Sequence, residues 1–80
     1  MVIKFKREHK SFQDRALGSN QWEIYNIVKE RKEITLDELE DIIRENLHRF
    51  SFTLWRSPMA QTMVVIKSLA KYGYVEIIEC

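Results

Sequence analysis

Ile66-Lys67-Ser68-Leu69-Ala70-Lys71-Tyr72-Gly73-Tyr74-Val75 is the stretch from which the rest of the chain can be read. Ile66, Leu69 and Ala70 recur at helical spacing, and Gly73 can take the left-handed conformation that ends a helix. Beyond it, Tyr74 to Ile78 is β-prone, with Val75 and Ile77 on one face. Towards the N-terminus, Ser57 is placed to cap. Pro58 sits at the first helical position, where a missing N–H costs nothing. The spacing therefore predicts a helix over 58–72 that buries Met59, Met63, Ile66, Leu69 and Ala70, followed by a short strand over 74–78. Its outward face is read as Ser57, Ala60, Gln61, Val64, Ser68 and Lys71.

The charge pattern singles out the same region. No aspartate or glutamate lies between Glu45 and Glu76, whereas Arg49, Arg56, Lys67 and Lys71 all do. The net charge of +1 conceals this. Residues 1–15 carry +3, residues 16–47 carry −4, residues 48–72 carry +4, and Glu76 and Glu79 follow. Two basic blocks thus flank an acidic one. An acid-free surface suits a polyanion, because a carboxylate there repels phosphate.

Working outward, Val2 to Lys6 alternates, with Ile3 and Phe5 on one side and Lys4 and Lys6 on the other, which predicts a strand over 2–6 or an ordered arm. Lys4, Lys6, Arg7 and Lys10 then either grip a nucleic-acid backbone or minor groove, or keep an edge strand from aggregating. Phe12, Ala16 and Leu17 are the anchors of residues 7–18. Ser19-Asn20 offers a cap for a helix over 20–32, whose broad apolar face is Trp22, Ile24, Tyr25, Ile27 and Val28. Ile34 stands alone between helices. Thr35 to Glu38 forms a capping box for a helix over 36–47 with Leu36, Leu39, Ile42, Ile43 and Leu47 on one stripe and acids on the other. In residues 48–56, Phe50, Phe52 and Leu54 alternate with Ser51, Thr53 and Trp55, so the segment is read as extended or as holding a short extra turn. Its aromatics serve a core or dimer contact, or a stacking platform for single-stranded nucleic acid between Arg49 and Arg56.

Eighty residues at 45% hydrophobic content make one domain, 1–80, with a modest core and no linker or repeat. The longest apolar run, Met63 to Ile66, is far too short to span a membrane, and the basic start shows no secretion signal. A lone cysteine, Cys80, forms no disulfide within the chain, as expected of a cytoplasmic protein. His9, His48 and Cys80 lack zinc-ligand spacing. Without a nucleophile–histidine–acid set or a glycine-rich phosphate loop, no catalysis, metal, cofactor or small-molecule ligand is expected.

The order helix, Ile34, helix, connection, helix, glycine, strand over residues 20–78 resembles the winged helix-turn-helix superfamily. The sequence departs from it in three ways. There is no second wing strand after 74–78, so the strand at 2–6 is the candidate to pair there instead. The connection at 48–56 is long. Val64 stands where DNA-binding relatives often carry arginine; valine can touch a thymine methyl but cannot make the bidentate contact to guanine. The resemblance implies an α+β fold, mainly α, with residues 1–15 as a basic arm or strand before the helix-turn-helix core. It also implies sequence-selective binding of double-stranded DNA by a homodimeric transcriptional regulator. The implied DNA contacts are Ser57 and Gln61 at base edges, Arg56, Lys67 and Lys71 on phosphate, Lys4 and Lys6 on the backbone or minor groove, and Arg49, Val64 and Ser68 on the same surface. The dimer contact falls in residues 7–25 or the aromatic segment. A winged-helix adaptor without nucleic-acid binding is the other class it implies.

Overall fold

The structure is a computed structural model. It describes residues 1–10, 12–14, 16–50 and 58–79, with Pro58 described by its backbone alone. Phe52, Leu54, Trp55, Arg56, Ser57 and Cys80 lie outside the described residues; of the segment 48–56, read as extended or as holding a short turn, only 48–50 is described, where a 3-10 turn ends at Arg49. The rest forms three helices and a three-stranded antiparallel sheet, an α+β domain.

Strand β1 (Val2–Phe5) is the centre of that sheet. It pairs antiparallel with β2 (Glu33–Thr35) on one side and β3 (Val75–Ile78) on the other. The N-terminal strand is thus not the edge strand that its lysines suggest. Alternation along β1 sets the two faces of the sheet. Inward, Ile3 is fully buried and faces Ile34 on β2 and Ile77 on β3. Outward, Lys4 stands between Glu33 and Glu76, a cross-strand row of alternating charge worth a few tenths of a kcal/mol per pair to about 1.

Helix α1 (Ser19–Arg31) lies against β1, β2 and α3, burying Ile24, Tyr25 and Val28. Its N-cap is Gly18, not the Ser19-Asn20 pair; Gln21 Oε1 accepts the Gly18 N–H at 2.8 Å, so a side chain one turn inside the helix does the capping. Trp22 is only partly covered. Phe12 is fully exposed on a turn, so it anchors nothing within the described chain. Helix α2 (Leu36–Glu45) starts on the expected cap, with Thr35 Oγ1 accepting the Glu38 N–H at 3.2 Å. It ends two residues earlier than the apolar spacing predicts. Asn46 Nδ2 donates to the Ile42 carbonyl at 2.8 Å and closes the helix, and Leu47 passes into an exposed 3-10 turn, Leu47–Arg49.

Helix α3 (Pro58–Lys71) buries Thr62, Ile66 and Leu69, a stripe at i, i+4 and i+7, while Met59, Met63 and Ala70 flank it half-buried. Gly73 ends it with φ at 83°, and the Gly73 and Tyr74 N–H groups donate to Ala70 and Leu69 carbonyls at 3.0 Å each.

A strap connects the two ends of the chain. Arg7 donates both Nη groups to the Asp14 carboxylate, at 2.8 and 3.1 Å, and Nη2 also donates to the Tyr72 carbonyl at 2.7 Å. Its guanidinium lies 4.3 Å over the Tyr74 ring. A cation just past the end of α3 also opposes the negative end of that helix dipole. The Arg7 hydrogen bonds, with the Lys10 N–H, hold the Asp14 carboxyl down at about 2 from an ordinary value of 3.8. Beside the strap, the His9 N–H donates to Tyr25 Oη at 2.7 Å, and its ring meets Trp22 edge-on at 5.6 Å.

Two outcomes follow. Ile3→Ala leaves a cavity under all three strands and costs about 2–5 kcal/mol in urea unfolding. Asp14 has a lowered folded pKa, so its stabilisation is complete above its unfolded value and disappears as pH falls through about 2. Wild type therefore loses stability between about pH 4 and 2 through this group. Asp14→Asn is less stable at neutral pH and lacks that part of the acid limb.

Candidate nucleic-acid interface

Burial of Thr62, Ile66 and Leu69 fixes which side of α3 faces out. The exposed residues opposite are Ala60, Val64, Lys67 and Lys71, spaced 4, 3 and 4 residues apart on one stripe. Among the described residues this stripe differs from the sequence reading at three positions: Lys67 joins it, and Gln61 and Ser68 leave it. Ser68 is half-buried on the flank towards α1. Its hydroxyl accepts from Gln21 Nε2 at 2.8 Å and donates to the Val65 carbonyl at 2.7 Å, so both of its functions are used inside the fold. Gln61 is also half-buried on that flank. Periodicity assigns these two residues to the outer half of the helix. It cannot reveal that α1 packs along that side.

The stripe divides along its length. Ala60 and Val64 make the N-terminal part apolar, and Val64 is 55% exposed. Lys67 and Lys71 make the C-terminal part basic, and Lys71 sits in the last turn, where a cation suits the helix dipole. Neither lysine is ion-paired among the described residues. Other cations are. Lys6 pairs with Glu76 at 3.7 Å, Lys29 with Glu8 at 3.0 Å, and Arg44 with Asp41 at 3.4 Å and Glu40 at 3.9 Å. Glu8 also holds the Lys29 ammonium above its usual pKa.

The N-terminal basic block is correspondingly reduced. Lys4 lies between two glutamates in the sheet register, Lys6 is paired, and Arg7 is taken up by the strap. The exposed Lys6–Glu76 pair contributes little stability, but it lowers the positive potential of the outer sheet face. The sequence signal for this was present: strands 2–6 and 74–78, once paired antiparallel, bring Glu76 opposite Lys4. Arg49 is exposed on the 3-10 turn after α2. Arg56 and Ser57 lie outside the described residues. The strap could not have been found from spacing, since Arg7 and Asp14 are joined across irregular backbone.

The outer face of α2 carries Asp37, Glu38, Asp41 and Glu45 exposed, with Arg44 among them. That face would repel a duplex. Among the described residues, no helix is long and apolar enough to cross a membrane. No family model, curated protein or solved structure matches the chain.

The Ser68 geometry has a direct consequence. Ser68→Ala strands the Gln21 amide at a half-buried position and costs about 0.5–1.5 kcal/mol in urea unfolding. Gln21→Ala is destabilising too, and the two losses are less than additive in the double variant.

Proposed function

We propose that this chain is a winged-helix domain that binds double-stranded DNA sequence-selectively, laying the outward stripe of α3 in the major groove. The observation that carries the reading is the pair Lys67 and Lys71. They project from a helix without a single acidic residue and have no described carboxylate partner, in a molecule that pairs Lys6, Arg7, Lys29 and Arg44. Unpaired cations in line along one helix supply the phosphate contacts that dominate affinity.

The element order supports the same reading. Helix, strand, helix, glycine-ended helix and strand follow in the order of the superfamily, and β1 pairs with β3. In such domains the first turns of the recognition helix meet base edges, which places Ala60 and Val64 near the bases and Lys67 and Lys71 near the backbone, with Gln61 on the flank. Arg49, exposed on the 3-10 turn after α2, extends the basic surface. Lys4 and Lys6 take at most a minor part because of Glu33 and Glu76. The acidic face of α2 points away from the duplex. Two copies related by a two-fold axis would present two such helices to successive grooves, as a small intracellular transcriptional regulator without enzymatic activity.

The exposed Val64 favours one competing reading, an adaptor whose α3 docks on another protein. Retention on duplex DNA separates the two. Binding that weakens steeply between low and moderate salt supports the regulator, and no retention at either salt supports the adaptor.

Within the DNA reading, Lys67→Ala and Lys71→Ala weaken binding to all duplexes alike. Each lowers the slope of log affinity against log salt by about 1. Fluorescence anisotropy across a salt series measures both effects.

A further inference from the structure

The apolar half of the α3 stripe has its own chemical meaning, which rests on the DNA reading above. Val64 is more than half exposed at the middle of the helix, and Ala60, one turn earlier, is exposed beside it. Among the described residues, the outward stripe before Lys67 offers only methyl groups. Gln61 is turned to the flank and half-buried. In the major groove, guanine presents two acceptors, cytosine and adenine an amino group, and thymine a carbonyl together with a C5-methyl. Methyl side chains at the base-reading turns gain nothing from the polar edges. They gain from the one apolar group in the groove.

We propose that Val64 packs on a thymine C5-methyl, so that the preferred duplex carries thymine at the position facing the middle of α3. The two lysines farther along the stripe then hold the flanking phosphates, and discrimination comes from apolar contact with a methyl instead of from a bidentate hydrogen bond. The side chain's exposure makes it available without rearrangement of the core.

The test exchanges thymine for uracil, which removes the C5-methyl and leaves the pairing edge unchanged. A duplex selected from random sequence is compared with the same duplex carrying uracil throughout the selected site, at one salt concentration, using the full chain and Val64→Ala. Thermal unfolding first establishes that Val64→Ala is folded, as an exposed position allows. The expected result is that wild type binds the uracil duplex about three- to fivefold more weakly, the effect of one methyl-sized group leaving an apolar contact. Val64→Ala binds the thymine duplex more weakly than wild type and does not distinguish the two duplexes. If wild type binds both duplexes equally, the thymine assignment is overturned while the DNA reading stands. If Val64→Ala discriminates as strongly as wild type, another residue reads the methyl and the assignment to Val64 is overturned. If no duplex is retained at all, the DNA reading fails and this inference fails with it.

Discussion

Ile3, fully buried at the centre of β1, is the constraint from which the domain is organised. It faces Ile34 and Ile77 across the two strand pairings, so one apolar row joins the N-terminal residues, the link between α1 and α2, and the C-terminal strand. Without β1, neither β2 nor β3 has its partner in this sheet. The pairing is non-local, and closing those loops must be offset by burial of the row and of the helices packed on it. The Arg7 strap adds a second tie between the same chain ends, from Asp14 to the carbonyl just past α3.

That pairing also determines where positive charge remains. By drawing Lys4 into a row with Glu33 and Glu76, and Lys6 into contact with Glu76, the sheet neutralises the basic N-terminus locally. Arg7 is used in the fold. The helix most distant in sequence from the acidic block retains cations with no described partner, and burial of Thr62, Ile66 and Leu69 turns them outward. Charge placement at α3 is therefore a consequence of how the sheet and core assemble, in addition to the composition of residues 48–72.

The helices were legible because their signals are local. Thr35 with Glu38, Pro58 at a first position and Gly73 at an end are each read from a few neighbouring residues, and the apolar spacing fixes the buried stripes. The misreadings occur where a distant or flanking group intervenes. Asn46 closes α2 before Leu47 because its amide reaches the Ile42 carbonyl. Ser68 leaves the candidate interface because Gln21 of another helix claims it. Thr62 belongs to the core, a position that a count of apolar residues passes over. Strand β1 reads as an edge because lysines suit edges, and only the pairing partners reveal alternating charge across a centre. Of the candidate contacts, Val64 and Lys71 were visible as a pattern on one helix; Lys67 joins them because Thr62, Ile66 and Leu69 are buried, and the loss of Lys4 to Glu76 follows once strands 2–6 and 74–78 are paired.

The most direct measurement is to map where a DNA duplex touches the protein, by following the backbone amide signals of the isotope-labelled chain during titration with duplex. The account predicts that the largest shifts fall on α3 around Ala60, Val64, Lys67 and Lys71, while Lys4, Glu33 and Glu76 on the outer sheet face and the acids of α2 stay close to their free positions. Shifts concentrated on the sheet face with α3 unchanged, or no shifts at low salt, would contradict it.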